Sequence, residues 1–203
     1  RVRDLRGLIG DITPATLAPA SLAALASIDP TTLPLVAEPG APAVPWSGMG
    51  KFVAIGLNYA DHAAEANMPI PAEPIVFMKT TSCAVGCNHP LVLPQGSRKT
   101  DWEVELGLVI GQRARCVSEA DALSYVAGYL PLNDISARDY QARVSQWTLG
   151  KSFDAFLPMG PAITTADEIP DPQSLDISLT IGGVVLQKSN TRELVFGVQQ
   201  LVH

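Results

Sequence analysis

Acidic and apolar residues alternate in the segment 101–106, and this spacing is the strongest chemical signal in the chain. Asp101, Glu103 and Glu105 would share one face of a β-strand, because side chains two residues apart point the same way. Carboxylates held that close repel one another unless a cation compensates. Oxygen ligands of this type suit Mg²⁺, Mn²⁺ or Ca²⁺ better than zinc. The pattern favours a site for a hard divalent cation, with a solvated face of an antiparallel sheet as the alternative.

A third ligand is expected from Asp134, which directly follows an apolar strand where an unpaired acid would be costly. The alternative is that Asp134 caps a helix predicted over 136–143. Arg138 and Gln141 lie three residues apart on that helix and therefore share a face. Arg138 could bind a substrate carboxylate through two parallel hydrogen bonds, or form a surface ion pair with Asp139 or a glutamate.

His62 and Glu65 form an i, i+3 pair on a predicted short helix, with Asn58 or Asp61 available as its cap. A carboxylate in this position can orient an imidazole as a general base. The alternative is an exposed histidine beside an unrelated glutamate. Lys151 follows the apolar stretch 147–149 and is expected in a loop, where its ammonium could stabilise an enolate or a carboxylate.

The composition and charge of the chain narrow the classes of function that it could have. The chain has 203 residues and a net charge of −6, with scattered basic residues, so no nucleic-acid partner is expected. It has no apolar run of the roughly 18–20 residues that cross a bilayer, so no membrane partner is expected either. The odd, sparse count of cysteines favours reduced thiols and a cytoplasmic location. Walker, GxGxxG, nucleophile-elbow and HExxH motifs are missing from the sequence.

The elements that must position these residues are mostly short and apolar, with frequent Pro and Gly between them. Gly182-Gly183 is a hairpin signal. This punctuation predicts a mainly β (α+β) fold with short peripheral helices. Strands are predicted over 51–56, 74–79, 91–93, 101–111, 128–133, 162–165, 175–181 and 184–187, and helices over 19–27, 58–66, 120–126 and 191–203.

Two regions are predicted along the chain. Residues 1–47 form a small N-terminal region that ends in a Pro-rich extended linker over 30–45. Residues 48–203 form the main, catalytic body. Because the chain does not begin with Met and ends in a helical pattern, it is expected to be incomplete, in particular at the C-terminus.

Taken in order, the motifs of residues 50–203 resemble the fumarylacetoacetate hydrolase family. Family members usually continue into further strands with a Thr-Gly-Thr-Pro segment, which this sequence lacks. The motifs that carry the resemblance are Gly56-Leu-Asn-Tyr-Ala-Asp-His62 with Glu65, Pro74-Ile-Val-Phe-Met-Lys79, Asp101-Trp-Glu-Val-Glu-Leu106, Asn133-Asp-Ile-Ser-Ala-Arg-Asp139 with Gln141, Gly150-Lys-Ser-Phe-Asp154, Gly160-Pro161 and Gln187 with Asn190-Thr191.

The resemblance implies a β-sandwich-like roll, a homodimer and an active site around one Mg²⁺ or Mn²⁺ ion per chain. By position, Glu103, Glu105 and Asp134 match the metal ligands, while His62 and Glu65 match a dyad that activates water. Three further residues match those around a bound small oxo acid, namely Lys151, Arg138 and Gln141.

The expected reaction is hydrolysis of a C–C bond in a small 2,4-dioxo acid of the acylpyruvate type, including 2,4-diketo-3-deoxy sugar acids, to pyruvate and a second acid. Relatives of the same scaffold suggest alternatives: oxaloacetate decarboxylation, hydration or isomerisation of dienoic acids, and ureidoglycolate lyase chemistry. An alternative of another class is a non-catalytic, metal-binding paralogue.

Overall fold

Short strands make up most of the regular structure in the computed structural model, which describes residues 2–203. The predicted mainly β (α+β) class is confirmed. The strands are β1 (Phe52–Gly56), β2 (Ile75–Lys79), β3 (Ala84–Gly86), β4 (Thr100–Asp101), β5 (Val104–Ile110), β6 (Val126–Asn133), β7 (Ser136–Ala137), β8 (Leu157–Met159), β9 (Thr164–Thr165), β10 (Asp176–Ile181) and β11 (Val184–Asn190). The α-helices are α1 (Pro19–Ala26), α2 (Ala60–Glu65), α3 (Arg138–Gln141), α4 (Thr148–Lys151) and α5 (Val198–Val202).

The central sheet has the strand order β3-β8-β6-β5, with β9 also paired to β6. Strands β5 and β6 run antiparallel, and Glu105 lies opposite Leu132 in their register. Leu130, Leu132, Phe156 and Leu157 belong to the main hydrophobic cluster on this sheet. The register brings the start of β5 beside the end of β6, so residues around 103–105 lie close to Asp134.

The predicted strand 101–111 is interrupted at residues 102–103. Asp101 pairs with Ser136 in the separate β4–β7 ladder. The backbone of Glu103 is held at the break, because its N–H donates to the Asn133 side chain (3.0 Å) and its carbonyl accepts from the Asp134 N–H (2.8 Å). Asp101 therefore does not continue the acidic face of β5.

Two predicted elements take another form in the structure. Residues 91–93 form no strand, and Val92 is 75% exposed. Pro90 and Pro94 flank this run and lack the N–H groups that a strand would need. Residues 136–137 pair as strand β7, which leaves only α3 of the helix predicted over 136–143.

The predicted helix 191–203 is divided in two by an extended stretch around Val195. The first part is a 3₁₀ turn, Thr191–Glu193, and the second is α5. Between them Asn58 acts as a clamp: its side chain bonds both the N–H and the carbonyl of Phe196, at 2.9 and 3.0 Å. Asn58 therefore holds the C-terminal segment instead of capping α2. A third predicted helix, 120–126, is a 3₁₀ helix, Glu119–Tyr125, capped by Ser118.

The N-terminal region packs against the main body. Leu17 is 6% exposed and belongs to the same cluster as the central sheet. The segment 30–45 begins with a 3₁₀ turn, Pro30–Thr32, and then forms no helix or strand apart from an isolated bridge between Leu35 and Arg3. The division between residues 47 and 48 stays a prediction. Among residues 2–203 every helix is too short or too polar to span a bilayer.

Candidate active site

One cavity of about 520 Å³ gathers every residue that the sequence predicts for the site. The cavity lies between β5, α2, α3, α4 and the hairpin of β10 and β11. Its lining includes all the predicted ligands, the dyad and the substrate contacts: Glu103, Glu105, Asp134, His62, Glu65, Lys151, Arg138 and Gln141. Residues separated by up to 89 positions in sequence thus share one space.

Lys151 lies at the end of α4, where a loop was expected. Its side chain is 3% exposed. The preceding Gly150 allows this approach, since a Cβ there would lie 2.6 Å from the backbone nitrogen of Gln141 and 2.9 Å from the carbonyl oxygen of Ala137. The close packing of α4 on α3 therefore directs Lys151 into the cavity.

Six side chains form a row of alternating charge, and four of them line the cavity. At the centre, Lys151 Nζ lies 2.6 Å from Glu103 Oε2 and 2.8 Å from Asp134 Oδ2. On one side, Arg138 contacts Glu103 at 2.5 Å and Asp101 at 2.8 Å. On the other side, Lys79 Nζ lies 2.5 Å from Asp134 Oδ1. We call this set the charge row; its members in order are Asp101, Arg138, Glu103, Lys151, Asp134 and Lys79.

Glu105 lies outside the charge row. Within residues 2–203 its carboxylate takes part in no hydrogen bond or ion pair that the structure shows. Burial, reinforced by repulsion from Glu103 and Asp134, raises the pKa of Glu105 to about 8, although Lys151 opposes the shift. An added cation would stabilise the ionised form of such a carboxylate.

Arg138 and Gln141 lie on one face of α3, as their spacing predicts, and Arg138 Nη1 is 3.2 Å from Gln141 Oε1. Arg138 pairs with Asp101 and Glu103, whereas the neighbouring Asp139 accepts from Ser97 and from the N–H of Arg98. The surface ion pair with Asp139 that composition left open is therefore not formed.

His62 and Glu65 lie at the mouth of the cavity. Their side chains are 55% and 85% exposed, and His62 Nδ1 is 3.9 Å from Glu65 Oε2. That distance is longer than a hydrogen bond. The pair is adjacent without a hydrogen bond, and catalytic hydrogen bonds are often long before substrate binds.

Lys79 is the member of the site that residue types did not single out. It ends β2, and its side chain is fully buried. Alternation along β2 contained the signal, because Lys79 shares the inward face with Phe77, which is 6% exposed. An inward lysine at the end of an apolar strand requires an acidic partner, and Asp134 fills that role.

The three predicted ligands fit a hard divalent cation in donor type, since Glu103, Glu105 and Asp134 bring only oxygen atoms to one cavity. They also fit in charge, because Glu105 has no cationic partner within residues 2–203. Lys151 lies between the other two carboxylates. In the described chain no group of three or more His, Cys, Asp or Glu side chains is already spaced to hold a metal ion.

Comparisons with known proteins bear on this site. The family model for the fumarylacetoacetate (FAA) hydrolase C-terminal region matches residues 51–203. A protein of Burkholderia cenocepacia (strain HI2424), provisionally named a hydrolase, is 53% identical over 203 residues, which are 100% of this chain and 72% of the relative.

Solved structures with the same fold include enzymes of two reaction types. The fumarylacetoacetate hydrolase of the psychrophile Exiguobacterium antarcticum matches with a TM-score of 0.82 at 25% identity, over 98% of this chain and 72% of that chain. The 5-carboxymethyl-2-hydroxymuconate delta-isomerase of Mycobacterium smegmatis matches with a TM-score of 0.69 at 36% identity, over 80% of this chain. The 2-hydroxyhepta-2,4-diene-1,7-dioate isomerase of Mycobacterium marinum matches with a TM-score of 0.68 at 35% identity, also over 80%. This chain spans 62% and 57% of the two isomerases, which is less than two thirds of each.

Proposed function

This chain belongs to the fumarylacetoacetate hydrolase family, and from that premise we propose that it hydrolyses a C–C bond of a small 2,4-dioxo acid of the acylpyruvate type with the help of Mg²⁺ or Mn²⁺. The observation that carries the proposal is the shared cavity. Carboxylates, a histidine–glutamate pair, a guanidinium and a buried ammonium line a single space of about 520 Å³, which suits a small organic acid.

Glu103, Glu105 and Asp134 would hold the cation. When bound, a divalent ion supplies Lewis-acid polarisation of the carboxylate and oxo oxygens of the substrate. The raised pKa of Glu105 supports this assignment. Of the three carboxylates, Glu105 alone has no cationic partner among the described residues, so a bound cation would stabilise its ionised form.

Arg138 and Gln141 would bind and orient the substrate. Arg138 projects a guanidinium into the cavity from α3, and Gln141 adds an amide on the same face. A guanidinium matches the geometry of a carboxylate, so it fixes the acid end of the substrate. Lys151 offers a buried ammonium next to the negative charge that develops on the pyruvate portion.

His62 would act as general base, with Glu65 to orient it. His62 takes a proton from water, whose oxygen attacks the C4 carbonyl of the substrate. The C3–C4 bond breaks, its electron pair passes to the pyruvate fragment as an enolate, and the proton that His62 took from water is returned to C3 to complete pyruvate. The C4 acyl group leaves as the second acid. The exposed position of His62 at the cavity mouth supports this role, because water reaches it directly.

A second candidate reaction is isomerisation of a 2-hydroxydienoic acid, and the two similar isomerase structures favour it. It would need the same carboxylate recognition and proton transfer, without attack by water. The predicted homodimer and cytoplasmic location stay predictions.

A substrate screen tests the proposal. The protein is incubated with 2,4-dioxopentanoate, oxaloacetate, ureidoglycolate or a 2-hydroxydienedioate, with Mg²⁺, Mn²⁺ or EDTA, and products are followed by proton NMR. We expect equal amounts of pyruvate and acetate from the first substrate, with no turnover in EDTA. The Glu103→Gln and His62→Ala variants should each lose roughly 100-fold or more in kcat.

Two controls make the screen decisive. Glu38→Gln changes an exposed acid of the N-terminal region and should leave turnover unchanged. Unchanged turnover by metal-stripped Glu103→Gln would refute the metal-dependent hydrolysis. Turnover of the dienedioate alone would replace it with the isomerase function.

A further inference from the structure

Lys79 contacts Asp134 and Lys151 of the site. It is not among the described residues that line the cavity. Its ammonium has three acceptors. These are Asp134 Oδ1 at 2.5 Å, the carbonyl oxygen of Ile135 at 3.4 Å and the carbonyl oxygen of Lys151. An ammonium has three N–H donors, so this environment can satisfy it fully.

The contact with the Lys151 carbonyl closes a ring. Lys79 bonds one oxygen of Asp134 and the backbone of Lys151, and the side chain of Lys151 bonds the other oxygen of Asp134 at 2.8 Å. Both carboxylate oxygens of Asp134 are therefore held, one by each lysine. Rotation of the carboxylate would break two charge-assisted hydrogen bonds at once.

The ring also joins three separate pieces of chain. Lys79 ends β2, Asp134 follows β6, and Lys151 ends α4. The helix α4 has only four residues, so it has little stability of its own and depends on such contacts for its position. Burial lowers the pKa of Lys79, and the adjacent Asp134 opposes that shift.

We infer that Lys79 is a positioning residue of the active site: it fixes the Asp134 carboxylate and the end of α4, and thereby aims Asp134 and Lys151 into the cavity without touching substrate. The role in turnover rests on the proposed function, whereas the role in geometry does not. Substitution of a partner that orients a metal ligand in this way typically lowers metal affinity or activity about 10–100-fold.

Substitution of Lys79 tests the inference through binding of the metal alone. In Lys79→Met, which keeps an unbranched side chain of nearly the same length without the charge, we expect the Kd of Mg²⁺ by calorimetry to rise about tenfold or more. The kcat for 2,4-dioxopentanoate should fall by a similar factor, while KM changes little because Arg138 and Gln141 remain. Lys51→Met is the matched control, since Lys51 is exposed at the start of β1, and it should match the wild type.

The electrostatic effect alone has the opposite sign. Removal of a positive charge beside Asp134 would strengthen cation binding if Lys79 did nothing to orient it. Unchanged or tighter Mg²⁺ binding in Lys79→Met, with unchanged kcat, would overturn the inference.

Chemical rescue separates positioning from general support of the core. Lys79→Ala lacks the atoms of propylammonium, so added propylammonium should restore Mg²⁺ binding, whereas the neutral propanol of the same shape should not. Failure of both variants to fold, unrelieved by propylammonium, would assign Lys79 to core stability and also overturn the inference.

A crystal structure of Lys79→Met gives a readout that is independent of activity. We expect the contact of Asp134 with Lys151 to be lost or lengthened. If the wild type neither binds Mg²⁺ nor acts on 2,4-dioxo acids, the proposed function fails, and the crystal structure still decides the role of Lys79.

Discussion

Each ion in the charge row is held by its neighbours, so the row behaves differently from scattered surface pairs. Asp134 and Lys151 are 6% and 3% exposed, and exposed pairs contribute little because water screens them. Removal of one buried member leaves its neighbour charged and unpaired, which is costly. The row therefore makes the site sensitive to single substitutions at buried residues that do not line the cavity, such as Lys79.

The pKa of Glu105 predicts how the metal-free protein responds to pH. Its value in the folded chain is about 8, against an ordinary value of 4.5, so between these limits the folded state binds more protons than the unfolded state. The free energy of unfolding attributable to Glu105 should fall as pH rises from 4.5 to 8. Urea denaturation in EDTA at pH 5 and pH 8 measures this decline.

Two glutamine variants separate the effect of Glu105 from that of other acids. Glu105→Gln should flatten the decline, whereas Glu65→Gln, at an exposed site, should retain it. A decline of equal size in Glu105→Gln would contradict the assignment.

At the residue scale, the sequence identifies which residues line the cavity but not which of them form ion pairs with one another. The eight candidate residues lie in recognisable local motifs, and all eight line the cavity. The pairing of Arg138 with Asp101 and Glu103 depends on how β4, β5 and α3 meet, which no local pattern records. The alternation of residues along β2 was enough to predict that the Lys79 side chain points inward, on the same face as Phe77.

At the scale of elements, the helices that carry the site are held by packing. Helices α3 and α4 have four residues each, too few to be stable alone. Tyr140 of α3 meets Phe153 edge to face at 5.1 Å, and Phe153 meets the buried Phe156 at 5.3 Å. Tertiary contacts set where these helices begin and end. The sequence patterns over 136–143 and 191–203 therefore predict longer helices than the structure has.

Gly150 tests the packing of α4 on α3. In Gly150→Ala the new Cβ would collide with the backbone of Gln141 and Ala137, so α4 must move and take Lys151 with it. We expect a loss of about 1–3 kcal/mol in the free energy of unfolding and a marked fall in kcat. Thermal denaturation and steady-state kinetics measure the two effects.

The control for Gly150 is Gly50→Ala, whose Cβ would meet no atom within 4 Å. It should leave both stability and kcat close to those of the wild type. Wild-type behaviour in Gly150→Ala would mean that α4 is not positioned by this close approach.

At the scale of the whole molecule, the N-terminal region contributes to the core. Leu17 is buried in the cluster that supports β6 and β8. Leu17→Ala should therefore lower the free energy of unfolding by about 2–5 kcal/mol. Leu8→Ala is the control, since Leu8 is 50% exposed, and chemical denaturation that gives equal stabilities for both variants would show that the region is only loosely attached.

The exposures of His62 and Asp134 differ widely, and the active cavity consequently has a wet end and a dry end. At the wet end, His62 is in contact with solvent, and dissolved salt screens its interactions with other charges. At the dry end, Asp134 and Lys151 are paired with each other, with Lys79 and with Glu103, and dissolved salt screens these buried pairs weakly. In the proposed hydrolysis, water and the organic acid would thus approach the reacting carbon from different environments, one supplied by the bulk and the other shielded from it.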